Sequence, residues 1–246
     1  MRKSIRTKLL TCALAATTCF MLAGCGKSET STTAAPAAGT TAAASNAATE
    51  AKKDSKAAYD YMVLVNKSHK LPDDWESTVV LKEATNRYGE SYKVEEKALE
   101  QFLKLQKELA DEGIYIELDS TTRSVAEQQK LWDDWTVEKG EDYVKKYVAV
   151  PGYSEHHTGL AIDVCLDKDG KRIDDNDEMI AEKEIFAKVH EKLPKYGFIL
   201  RYPDGKDDKT GYSYEPWHFR YINDPALAKE IMDKGITLEE YLGESK

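Results

Sequence analysis

Ser154-Glu155-His156-His157-Thr158-Gly159-Leu160-Ala161-Ile162-Asp163-Val164-Cys165-Leu166 is the stretch on which the reading of this chain turns. From Leu160 onward it alternates, and in a β-strand successive side chains take opposite faces. Leu160, Ile162, Val164 and Leu166 then form an apolar face for a core, while Ala161, Asp163 and Cys165 take the other. A carboxylate in so apolar a strand is costly to bury unless something pairs with it. A metal ion is one solution and a buried arginine is another.

A second stretch has the same character. In Glu215-Pro216-Trp217-His218-Phe219-Arg220-Tyr221, His218 sits in an aromatic strand. On one continuous strand Glu215 and His218 would face opposite sides. Proline is tolerated at the first residue of a strand, so Pro216 marks the strand's start and lets Glu215 turn toward the His218 face. Histidine and carboxylate ligands suit zinc, and catalytic zinc sites pair three protein ligands with one open position. His156, Asp163 and His218 supply such a set and leave Glu215 free as a base. Spacing alone also permits two structural histidines and a paired aspartate, because the pattern is neither Cys-rich nor H-E-x-x-H.

Outward from these motifs, helix and strand signals mix without regular βαβ alternation. This favours an α+β fold with an antiparallel sheet flanked by helices. Tyr61–Val65 reads as a short opening strand or extended segment. Lys93–Glu112 has largely helical apolar spacing with Gly113 as a stop. Ile114–Leu118 alternates as a strand. Ser124–Trp135 reads as a helix with Ser124 as N-cap and Glu127 at capping-box spacing. Asp177–Tyr196 reads as a helix bent or stopped near Pro194. Phe198–Tyr202 and Trp217–Ile222 read as strands, and Pro225–Lys234 as a closing helix.

The N-terminus carries a different message. Arg2, Lys3, Arg6 and Lys8 precede an apolar run, Leu9–Leu22, too short to span a bilayer comfortably. This is the anatomy of a secretory signal peptide, and Leu22-Ala23-Gly24-Cys25 resembles the lipobox of bacterial lipoproteins. The expectation is a signal over 1–24, lipidation of Cys25, and a disordered Ala/Ser/Thr-rich tether over 25–58. One domain then follows over 59–246, on the outer face of the cell membrane. Cys12 and Cys19 would leave with the signal, so Cys165 alone remains in the body and no internal disulfide holds it. The net charge of −9 becomes more negative once the basic leader is removed. An acidic body argues against nucleic acid as a partner.

The two motifs together, Ser-x-His-x-x-Gly-x-Ala-x-Asp and Glu-x-Trp-His, resemble those of the VanY-type D-alanyl-D-alanine carboxypeptidases, zinc peptidases of the M15 group. The likeness extends to Val65-Asn66-Lys67 with Leu71-Pro72, to Arg123-Ser124 with Gln128, and to Tyr196–Pro203. It implies a single hedgehog/D,D-peptidase-like domain, zinc held by His156, Asp163 and His218, and Glu215 as general base. It also implies that Arg123 contacts the substrate near the reacting centre, with Gln128 and Ser154 as further substrate contacts. The implied substrate is the terminal D-Ala-D-Ala of peptidoglycan stem peptides, and a monomer is expected. The family often has an aromatic residue before the arginine; Thr122 stands there, and an altered pocket wall is the expectation. Two alternatives share these motifs: an L,D-carboxypeptidase acting on tetrapeptide stems, and a wall-binding lipoprotein without catalysis. An endopeptidase within the stem or cross-bridge is a further reading, against which Arg123 with Gln128 speaks.

Other residues are read as structural. His157 should point away from His156 in an extended segment, toward solvent or packing. His69 and His190 read as surface or helix residues. Cys165 reads as a core thiol, Trp132 and Trp135 as helix core or edge, and Asp167-Lys168-Asp169-Gly170 as a polar turn.

Overall fold

A computed structural model describes residues 59–244 apart from 76 and 77. The expected signal and tether lie outside these residues. The architecture is α+β, as expected, and the sheet is antiparallel throughout.

A hairpin of β1 (Leu81–Thr85) and β2 (Ser91–Glu95) leads into α1 (Glu96–Asp111). The hairpin has little apolar sequence of its own. Its turn is built by Asn86, whose Oδ1 accepts the N–H groups of Tyr88 and Glu90, a local device that asparagine favours. Because β2 takes up Lys93–Glu95, the helix begins three residues later than its apolar spacing suggests.

The main sheet runs β3 (Tyr115–Ser120), β4 (Ala161–Lys168), β7 (His218–Tyr221), β6 (Phe198–Leu200), with the short β5 (Lys171–Ile173) also paired to β4. One face carries Ile116, Leu118, Leu160, Ile162, Val164, Leu166, Phe198, Phe219 and Tyr221. It buries them against Phe102, Leu105 and Leu109 of α1 and against Phe186 and Val189 of α5 (Lys183–Lys192). Removing such a side chain would cost about 2–5 kcal/mol. The other face is split. Ile199 and Ile222 pack against Ala228, Ile231 and Leu238 of α7 (Pro225–Lys234) and α8 (Leu238–Leu242). The rest of that face carries buried polar groups, among them Asp163, His218 and Arg220.

Three segments depart from the sequence reading. Tyr61–Val65, read as a strand or an extended segment, forms no strand: the carbonyls of Tyr61 and Val63 accept hydrogen bonds from the Arg220 guanidinium instead of a neighbouring strand. The helix expected over Asp177–Tyr196 is three pieces: α4 (Asn176–Ala181), α5, and a 3₁₀ turn over Leu193–Tyr196. Pro194 lacks the N–H an α-turn needs, and the chain tightens there. The helix expected to end at Trp135 continues as α2 (Val125–Lys139), followed by α3 (Glu141–Tyr147). Its predicted capping box is formed: Ser124 Oγ accepts from the Glu127 N–H, and Glu127 accepts from the Ser124 N–H. Among the described residues no helix is long and apolar enough to cross a membrane.

Candidate active site

Register explains why Asp163 and His218 meet. They are direct partners across the antiparallel β4–β7 ladder, where facing side chains lie within about 5 Å, and both point away from the apolar core. His156 comes from the 3₁₀ turn Glu155–Thr158, which ends at Gly159 with φ 73°. A Cβ there would lie 2.9 Å from Leu81 Cδ2, so the glycine of the motif answers both a left-handed backbone and a close approach by β1.

The three side chains converge. His156 Nε2 lies 3.3 Å from Asp163 Oδ2, and His218 Nδ1 lies 2.8 Å from Asp163 Oδ1. One donor atom from each falls within 4.8 Å of the others, and all three residues are buried. The second nitrogen of each ring is already committed. His156 Nδ1 lies 2.7 Å from the Thr121 carbonyl, and His218 Nε2 lies 3.1 Å from Glu155 Oε2. Each of those nitrogens must carry the proton, so the lone pairs of His156 Nε2 and His218 Nδ1 face Asp163. With both rings neutral, two lone pairs and a carboxylate meet in a buried site, and a cation satisfies all three. Nitrogen and oxygen donors without a thiolate fit zinc.

Burial and neighbouring charges set the two rings apart. Burial and the Arg123 guanidinium push His156 down to about 4, which keeps it neutral. Burial opposes charge on His218, but the Asp163 and Glu155 carboxylates prevail and raise it to about 9, which favours a proton on Nδ1 that a bound cation would displace. Burial likewise opposes ionisation of Asp163, and the two histidines hold it well below the carboxylate range.

Of the remaining sequence candidates, Glu215 and Arg123 adjoin this centre. Glu215 turns back as expected: the His218 N–H donates to its carbonyl at 3.2 Å, and its Oε2 lies 3.7 Å from His218 Nδ1. Its side chain is 29% exposed, against 3% for His218, so it stands at the mouth of the site. Arg123 is fixed by its backbone, donating its N–H to the His156 carbonyl at 3.1 Å and accepting from His157 Nδ1 at 2.7 Å. Ser154 is buried at the start of the 3₁₀ turn. Gln128 is buried too; its Nε2 donates to the Ala149 carbonyl at 2.8 Å, while its Oε1 has no hydrogen-bond partner among the described residues.

Several groups near the site escaped the sequence reading. His157 is buried and bonded at both nitrogens, because extended alternation does not apply within a 3₁₀ turn. His190, read as a helix residue, is indeed on α5, but its Nε2 donates to the Pro216 carbonyl at 2.8 Å and steadies the Glu215-Pro216-Trp217 turn. Tyr202 packs at a tilt against the His218 and Tyr212 rings, with Lys67 over the Tyr212 ring. Glu155 is adjacent to His156, yet its partners lie far along the chain and no local signal marks it. The structural readings of other residues hold. Burial pushes the Cys165 thiol up to about 12. Trp135 stacks on Tyr143. Asp167 Oδ1 accepts from the Gly170 N–H in the β4–β5 turn.

Comparison with known proteins agrees with this geometry. YodJ of Bacillus subtilis (strain 168) is 36% identical over 197 residues, which span 75% of this chain and 68% of that protein. The solved structure of the LdcB LD-carboxypeptidase is 35% identical with a TM-score of 0.65, covering 76% of this chain and 87% of LdcB. A variant of the vancomycin-resistance D,D-pentapeptidase VanY, in complex with Zn(II), is 29% identical with a TM-score of 0.60, covering 74% and 98%. Residues 91–224, more than half the sequence and all of the convergent centre, match VanY, D-alanyl-D-alanine carboxypeptidase. The chain belongs to the VanY family of D-alanyl-D-alanine carboxypeptidases.

Proposed function

We propose that this protein is a zinc-dependent D,D-carboxypeptidase that removes the terminal D-alanine from peptidoglycan stem peptides. The observation that carries the reading is the convergence of His156, Asp163 and His218 with the Glu215 carboxylate beside them at the mouth of the site.

His156 Nε2, His218 Nδ1 and an Asp163 oxygen would hold the metal. When bound, zinc polarises the scissile carbonyl and lowers the pKa of the attacking water toward about 7. Glu215 takes the proton of that water and delivers it to the leaving amine. Arg123, whose charge already acts on His156, stabilises the developing oxyanion, an effect worth about 3–4 kcal/mol per donor. Arg123 and Ser154 would recognise the free C-terminal carboxylate. The unpartnered Gln128 Oε1 is an acceptor suited to a substrate amide.

The test is to incubate the protein with muramyl pentapeptide and tetrapeptide, with and without a chelator, and read the products by mass spectrometry. Loss of one alanine from the pentapeptide, blocked by chelator and restored by zinc, is the expected result. A second reading has its own support, since LdcB is named an LD-carboxypeptidase. Cleavage of the tetrapeptide alone would select it. Cleavage of neither, with zinc bound, would leave the wall-binding or endopeptidase readings.

The placement of this activity rests on the leader. The basic and apolar run before Leu22-Ala23-Gly24-Cys25 supports export and lipid anchoring at the outer face of the membrane. Detergent-phase partitioning of wild type but not of Cys25→Ser is the expected outcome, and equal partitioning would remove the anchor. A single-protomer mass in light scattering would agree with the expected monomer.

A further inference from the structure

No step above uses Glu155, although it is among the most buried charges in the protein. It follows Ser154 and precedes the ligand His156, yet its carboxylate reaches across to the other histidine. Oε2 lies 3.1 Å from His218 Nε2, while Oε1 accepts from Arg201 Nε at 2.7 Å and from Arg220 Nη1 at 2.6 Å. Arg201 turns its remaining nitrogens to Glu239 at 2.9 and 2.7 Å, and Glu239 also accepts from Asn66 Nδ2 at 3.0 Å. Arg220 donates its Nη2 to the carbonyls of Tyr61 and Val63. Two carboxylates and two guanidiniums thus form a neutral buried quartet whose polar atoms are bonded on every side.

Such a quartet is a poor way to gain stability, because desolvating the charges consumes most of the attraction between them. Its geometry suits a different task. A ligand histidine needs its second nitrogen held, or the ring can flip and present the wrong atom. Glu155 holds Nε2 of His218 and is itself prevented from swinging by two arginines.

Building on the metal-centre reading, we infer that Glu155 is a positioning residue that locks His218 in the orientation presenting Nδ1 to the metal. Through Arg201 and Arg220 that lock is anchored in Tyr61–Asn66 and in α8. Both lie outside residues 91–224, the part that matches the family. Segments flanking the shared family region therefore help set the metal affinity of this protein.

The test measures zinc affinity of the metal-free protein by competition with a chromophoric chelator, which needs no turnover. Glu155→Gln should weaken zinc binding by about 10–100-fold while the near-ultraviolet circular dichroism stays that of wild type. Glu155→Asp, which keeps the charge but shortens the reach, should fall between the two. An unchanged zinc affinity in a folded Glu155→Gln protein overturns the inference. Should that variant not fold, imidazole ¹⁵N–¹H correlation spectra of the zinc-loaded wild type decide. A protonated Nε2 and a metal-bound Nδ1 on His218 are expected, and metal at Nε2 overturns the role of Glu155. A wild-type protein that binds no zinc would overturn the functional reading as well, which separates the two failures.

Discussion

The backbone N–H of Gly152 donates to Nε2 of His157 across 3.0 Å, and that bond decides which nitrogen of His157 carries its proton. Nδ1 is then the donor, and it meets the carbonyl of Arg123 at 2.7 Å. One neutral imidazole thereby ties the loop before Ser154 to the residue that carries the guanidinium. His157→Ala leaves a buried N–H and a buried carbonyl without partners. It should destabilise the protein by about 1–3 kcal/mol for each group left unsatisfied, measured by urea unfolding. His157→Asn, which can keep the bond to Arg123, should lose less; equal losses would show that only the Gly152 bond matters.

Ligand and base should separate cleanly. His218→Ala removes a donor and should yield protein with little zinc by elemental analysis. Glu215→Ala should retain zinc and lose about 10²–10⁴-fold in kcat. Normal zinc content in the first variant would take His218 out of the ligand set, and near-normal turnover in the second would take Glu215 out of the mechanism.

Gly159 should not tolerate a side chain. Its φ of 73° is unfavourable for alanine, and the added methyl would press on Leu81 of β1. The crowding term alone is about 1–3 kcal/mol. Gly159→Ala should lower the unfolding midpoint, and a partial restoration by Leu81→Ala in the same chain would identify the clash.

Glu108 links α1 to the end of α5 through Lys192 and to the 3₁₀ turn through Lys195 and Tyr196. Its hydrogen bonds from Lys195 and Tyr196 bring it from 4.5 down to about 2. A carboxylate held low in the folded state adds stability above its unfolded value and loses it as pH falls through its folded one. Wild-type stability should therefore drop between pH 4.5 and 2 more steeply than that of Glu108→Gln. Parallel pH profiles would remove this link from the acid limb.

Much of the site was legible because its determinants are local. Two-residue alternation placed Asp163 opposite the core face of β4, and Pro216 at a strand's start predicted the turn that brings Glu215 beside His218. Ser124 and Glu127 announced the start of α2, since a capping box needs only three residues of spacing. The hairpin of β1 and β2 was not legible: a short, largely exposed ribbon has no apolar stripe, and its turn rests on one asparagine.

The sequence by itself marked His156, Asp163, His218 and Glu215 as candidates and determined the strand that carries Asp163, because both rest on residue type and short-range alternation. Only the tertiary structure decided the tautomers of His156, His157 and His218 and the role of Glu155. Those depend on partners distant in sequence, such as Arg201 and Arg220 at 46 and 65 residues from Glu155. It also decided that Tyr61–Val65 is no strand, because carbonyls that would have sought a sheet edge found the guanidinium of Arg220 first.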